Sequence, residues 1–186
     1  MRHSSHAASI LVAATIGLLA TVANAQEYHA RLSGFNEVGA LNAETGAILT
    51  NGRGTLDLVL NRNASTATYT LTYSDLTSPV LQAHIHFGKV HVPGGIFVFL
   101  CTNLANNPAG TPTPPGCPSG GGTVTGTITP ASVIAVPGQN ISANDFNAVL
   151  EALGSDTAYG NVHTAKFPAG EIRGQVRHIG ENENEN

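Results

Sequence analysis

Thr55-Leu56-Asp57-Leu58-Val59-Leu60, then Asn61-Arg62-Asn63-Ala64, then Ala67-Thr68-Tyr69-Thr70-Leu71-Thr72-Tyr73 reads as two strands joined by a turn. Leu56, Leu58 and Leu60 alternate with Thr55, Asp57 and Val59, and Ala67, Tyr69, Leu71 and Tyr73 alternate with threonines. Successive strand side chains leave opposite faces, so a period of two marks a strand with one buried face. Two such runs on either side of Asn61–Ala64 predict a β-hairpin.

The pattern extends in both directions. Upstream, Tyr28, Ala30 and Leu32 alternate with His29, Arg31 and Ser33, and a loop is expected over Gly34 to Gly46. Downstream, Leu81–Phe87 is a further strand. Ile96–Leu100 is a continuous apolar run behind Gly94-Gly95 and suits a core strand. Thr123–Thr129 is another strand, stopped by Pro130, and Tyr159–Thr164 follows later. A turn at Phe167–Gly170 leads into a last strand, Glu171–Arg177, with Ile172, Gly174 and Val176 on one face and Glu171, Arg173 and Gln175 on the other.

One helix interrupts the strands. Ser142 is the expected N-cap, with Asp145 three residues on in a capping-box arrangement. Phe146, Val149, Leu150 and Leu153 follow at helical spacing, and Gly154 ends the helix. Its apolar stripe is expected to cover an open end or edge of the sheet. Seven or eight short strands and one helix predict an all-β fold, an antiparallel β-sandwich or Greek-key-like barrel with one short helix.

The ends of the chain have their own character. Ile10–Ala20 is an apolar run behind Arg2, His3 and His6, and Ala23-Asn24-Ala25 is a small-x-small cleavage site. Residues 1–25 therefore read as a signal peptide, too short in its apolar core for a comfortable membrane span. Residues 26–180 read as one β domain, and the Glu–Asn repeat at 181–186 as a disordered acidic tail. A secreted or periplasmic location is expected, with no membrane insertion after cleavage.

Without the leader the chain carries seven Lys or Arg against twelve Asp or Glu, a net of −5, of which three acids lie in the tail. Nucleic-acid binding needs a basic patch and anionic lipid a polybasic stretch, and neither is present. Cys101 and Cys117 are the only cysteines. In an exported chain a disulfide is the default, closing the Pro-rich loop Thr102–Gly116. Such a closure contributes ~3 kcal/mol on chain-entropy grounds.

The chemistry-bearing pattern is histidine. His84 and His86 lie two apart on a predicted strand, so both imidazoles leave one face while Ala83, Ile85 and Phe87 leave the other. That is how a strand presents two ligands to one ion. His163, on the strand around Val162, is the leading candidate for a third, and His91 in the loop after the His-x-His strand could also reach. Glu171 and Arg173 could orient an imidazole or an anion. Imidazole suits copper and zinc, and no other cofactor is implied. The competing reading is that the histidines only hydrogen-bond to neighbouring strands and turns. His29 and His178 have polar neighbours and are expected to be solvated. No Gly-x-Ser-x-Gly elbow, clustered carboxylate pair or phosphate cradle is present.

The chain resembles the CHRD domain, the chordin-type module of animal chordins and many bacterial exported proteins. Two stretches carry the resemblance. They are Gln82-Ala83-His84-Ile85-His86-Phe87-Gly88 with Gly94-Gly95-Ile96, and Ala158-Tyr159-Gly160-Asn161-Val162-His163-Thr164 with Pro168-Ala169-Gly170-Glu171-Ile172-Arg173-Gly174-Gln175-Val176. Leu32-Ser33-Gly34 with Glu37-Val38 is similar to the family as well. The resemblance implies an all-β extracellular module without enzymatic activity, binding a protein or ligand outside the cytoplasm. The His-x-His strand is also loosely similar to the copper strand of copper-zinc superoxide dismutase, but only over that stretch. A non-catalytic binding or structural module is thus the first expectation. A copper- or zinc-binding protein is the second, and a metalloenzyme on His84, His86 and His163 the third.

Overall fold

The computed structural model describes residues 25–39 and 46–179. The expected leader, apart from Ala25, lies outside the described residues, as do residues 40–45 of the loop expected over Gly34–Gly46 and the acidic tail.

Among the described residues nine strands form one antiparallel sheet: β1 Gln26–Ser33, β2 Arg53–Asn61, β3 Thr66–Ser74, β4 Val80–Phe87, β5 Gly95–Thr102, β6 Gly122–Ile128, β7 Ala158–Thr164, β8 Ile172–Gln175 and β9 Arg177–His178. Their spatial order is β5-β4-β7-β8-β1-β2-β3-β6, with β9 also paired to β1. The sheet curls into a nearly closed barrel. Its interior takes the alternating apolar residues of the hairpin, among them Leu56, Leu58, Leu60, Ala67 and Leu71, all fully buried. The hairpin register runs from Arg53 opposite Ser74 to Asn61 opposite Thr66, which puts the leucines of β2 beside the apolar face of β3. The end strands β5 and β6 are drawn together by the Cys101–Cys117 disulfide, by a Tyr69 hydroxyl donating to Leu100 O at 2.6 Å, and by a bridge between Val98 and Val133.

The apolar run in β5 is continuous for a local reason. Against β4, Ala83 pairs with Cys101 but His84 with Phe99, and Ile85 pairs with Val98 but His86 with Ile96. Leu100 and Phe97 are therefore extra residues, bulged out of register, and strict alternation is lost. Phe97, Val98, Leu100 and Cys101 are all buried.

Two expectations need correction. The helix is α1, Phe146–Gly154, and its N-cap is Asp145, whose carboxylate accepts from Ala148 N at 3.3 Å, not Ser142. Asn144 has φ +63°, a left-handed backbone that the helix cannot extend back through. Phe146, Val149, Ala152 and Leu153 are buried, while Leu150 is half-buried. The last strand is also broken at Val176, whose amide donates to Ala158 O at 2.9 Å. The chain leaves β7 there and passes to β1, where Arg177 pairs with His29 and His178 with Tyr28.

Among the described residues no helix is long and apolar enough to cross a membrane.

Candidate metal centre

Strand parity builds the site. Ala83 and Ile85 of β4 point into the barrel and join its core. His84 and His86 must then leave the outer face. On the neighbouring strand β7, a Cβ at Gly160 would meet Leu56 and Leu32, so Gly160 faces inward and Tyr159, Asn161 and His163 face outward. The register places Asn161 opposite His84, Tyr159 opposite His86 and His163 opposite Gln82. His163 is thus the diagonal neighbour of His84, within reach of its ring.

The outer face is covered here rather than wet. His84, His86 and His163 expose only 0%, 7% and 5% of their surface. Phe99 of β5 packs edge-on to His84 with ring centres 4.4 Å apart, and Tyr159 stacks on His86 at 4.7 Å, the planes 7° apart. Pro168 and Gly94 each bring a main-chain carbonyl to an imidazole.

The three rings converge. One nitrogen from each can be chosen so that all lie within 4.8 Å of one another. Three nitrogens on a tetrahedral ion with bonds of ~2.05 Å lie ~3.3 Å apart, so only a small inward closure separates the observed cluster from a coordination shell. His84 Nδ1 and His163 Nε2 are already 3.1 Å apart.

The hydrogen bonds settle the tautomers. A carbonyl only accepts, so the His86 Nδ1–H donates to Gly94 O and the His163 Nδ1–H donates to Pro168 O, both at 3.0 Å. His86 Nε2 and His163 Nε2 therefore carry lone pairs. His84 Nδ1–H donates to His163 Nε2, which leaves a lone pair on His84 Nε2 as well. His84 Nε2 and His86 Nε2 are buried with no hydrogen-bond partner. At His86 a carbonyl pins Nδ1–H while Nε2 stays free, the arrangement by which protein main chains orient metal-binding imidazoles; His163 has its Nδ1–H pinned in the same way, but its Nε2 accepts from His84. Burial also keeps the rings neutral. Desolvation lowers His84 to about 2, helped by the neighbouring His163 and His86. It lowers His86 to about 3 against the opposing Gly94 hydrogen bond, and His163 to about 4 against that of Pro168.

Around the histidines lies a buried polar layer. Arg173, 2% exposed, sits 3.4 Å above the Tyr159 ring and donates to Lys89 O and Val92 O at 3.0 Å. It is one ring removed from His86 and holds the loop that ends in Gly94. Glu171, fully buried, accepts from Thr50, Thr77 and Thr164, and its contacts are with threonines rather than imidazoles. His91 is exposed in the loop at φ +59° and stands apart from the cluster of three. His29 is half-exposed beside Asp57 at 2.7 Å, but His178, expected in solvent, packs edge-on to Tyr28 with a buried Nδ1.

Sequence reasoning did not assign roles to Tyr159, Asn161, Phe99 or Glu37. Asn161 donates to the buried Glu37 and to Ile172 O. Gly170, at φ +135°, has no room for a side chain because a Cβ would lie 2.7 Å from both Asn161 and Glu37. A usable signal for Tyr159 and Asn161 existed: they share the parity of His163 along β7.

No curated protein and no solved structure matches the chain. The family model for the CHRD domain matches residues 28–176, a span that includes all nine strands but the first two residues of β1 and the short β9. The chain belongs to the CHRD domain family.

Proposed function

We propose that this chain is an exported, non-catalytic CHRD module that binds one transition-metal ion, copper or zinc, through His84, His86 and His163. The observation that carries the reading is the pair of buried, partnerless Nε2 atoms of His84 and His86 beside His163. A buried polar nitrogen without a partner costs about 1–3 kcal/mol, and a metal ion removes that cost. Near-complete burial favours holding an ion over turnover, which needs an open coordination position beside a substrate cavity. Export is supported by the apolar leader with its small-x-small site, by the Cys101–Cys117 disulfide and by family membership.

A second reading has its own observation. The hydrogen bond from His84 to His163 partly satisfies the cluster, as it would in a purely structural polar core. Metal content decides between them. The mature chain is prepared metal-free, incubated with copper and zinc, desalted and measured by mass spectrometry. About one ion per chain, lost in the His84→Ala/His86→Ala variant, is the expected result. No retained ion would leave the structural module alone.

A further inference from the structure

We propose that the three-histidine site takes copper(I), a monovalent ion in three-coordinate geometry, in preference to zinc(II) or copper(II). The inference rests on the metal-site reading above and adds the charge and coordination number of the ion.

The first argument is ligand count. The cluster that could hold an ion comprises three histidines and no carboxylate or thiolate. The polar groups closest in the fold are committed elsewhere. The Tyr159 hydroxyl accepts from Gly94 N at 3.0 Å, and the Asn161 amide donates to Glu37 and Ile172 O. The Glu171 carboxylate is taken by threonines and by the Thr77 amide. Zinc(II) with three protein ligands recruits a water or anion as its fourth. Here the Phe99 ring lies edge-on to His84 and the Tyr159 ring stacks on His86, so ring surface rather than a polar group borders these two ligands. A closed-shell monovalent ion has no need of the fourth ligand and is content with three nitrogens in a plane.

The second argument is charge. All three ligands are neutral imidazoles, so the full charge of the ion enters a buried region. Transfer of an ion out of water scales with the square of its charge, so a dication costs about four times as much as a monocation. No carboxylate joins the three imidazoles to offset that charge. Arg173 is a cation stacked on the Tyr159 ring, which in turn stacks on His86, so its charge adds to that of an ion. Glu37 accepts from Asn161 rather than from an imidazole. The other buried carboxylate, Glu171, is held by Thr50, Thr77 and Thr164, so among the described residues no carboxylate is placed on the ion.

The test is a parallel titration of the full mature chain. Copper(I) is supplied anaerobically as its acetonitrile complex, so no thiol reagent reaches Cys101–Cys117, and is competed against a chromogenic copper(I) chelator. Zinc(II) and copper(II) are titrated separately against their own chelators. We expect one copper(I) per chain, bound ~100-fold or more tightly than either dication. X-ray absorption should show three nitrogen neighbours at ~2.0 Å. The conservative variant His86→Gln should lose the copper, and His29→Gln, on a separate half-exposed histidine, should keep it. If zinc(II) binds as tightly as copper(I), or the bound copper shows four neighbours, the present inference falls and the metal site stands. If no ion binds at all, both fall.

Discussion

In the metal-free chain each of the three imidazoles is neutral because burial makes its charged form costly, and this has a direct consequence for acid stability. Unfolded histidine titrates near 6.5, whereas His163 is lowered to about 4, His86 to about 3 and His84 to about 2 in the fold. A depressed folded value means that, below 6.5, the unfolded chain binds protons that the folded chain refuses. The folded state is thus favoured above 6.5 and loses ground as pH falls from 6.5 towards 4, then more slowly below it. Each such group can cost ~1.4 kcal/mol per pH unit in that window. Urea unfolding of metal-free protein at pH 7, 6 and 5 should show the midpoint dropping steeply with acid. His163→Gln should flatten the slope by about a third. An unchanged slope in that variant would mean that His163 is not held neutral by the fold. The same residues explain why the site was only half legible in sequence. His84 and His86 announce a shared face by their spacing, and His163 joins them by strand parity. The burial of that face is not written there, since its cover comes from Phe99, Gly94 and Pro168 across a register that sequence does not give.

At the scale of elements, period two was legible wherever one face meets the core, as in β2 and β3, because each residue's side is then set by solvent alone. It failed where an element is buried on both sides or changes partner. Glu171, just ahead of β8, and Arg173 within it share a face by parity, but the pattern does not tell that both are buried, satisfied by Thr50 and Thr77 and by the carbonyls of Lys89 and Val92. Those partners lie far away in sequence. The helix start was missed because Asn144 adopts a left-handed backbone between two good capping residues. The close pass of β8 over β1 supplies a test. A Cβ at Gly174 would lie 2.2 Å from Arg31 O and 2.7 Å from Arg31 C, main-chain atoms that cannot swing aside. At Gly160 a Cβ would meet mainly the movable Leu56 side-chain end at 2.9 Å. Gly174→Ala should therefore cost ~3 kcal/mol or more, and Gly160→Ala ~1 kcal/mol, as read by urea denaturation. Equal losses would contradict the tight backbone crossing.

On the scale of the whole molecule, a sheet that curls without fully closing leaves a seam between its end strands, here β5 and β6. Unpaired strand edges invite partners or fraying, so closure must come from elsewhere. Three links serve it: the disulfide from Cys101 in β5 to Cys117 ahead of β6, the Tyr69 hydroxyl on Leu100 O, and the Val98–Val133 bridge. The histidine cluster, by contrast, joins β4 to β7. The disulfide and an ion bound as proposed would therefore clamp different strand pairs, and their contributions should add. Replacing Cys101 and Cys117 together by Ala removes the covalent closure of the Pro-rich loop, worth ~3 kcal/mol. An ion at a hundred times its dissociation constant adds ~2.7 kcal/mol to whichever form binds it. The double variant should lose about 3 kcal/mol in urea unfolding both without and with metal, and should still bind one ion. The loss would instead grow sharply in the presence of metal if the seam bond were needed to hold Phe99 against His84. In that case the site would depend on closure of the barrel, and ion binding would weaken in the same variant.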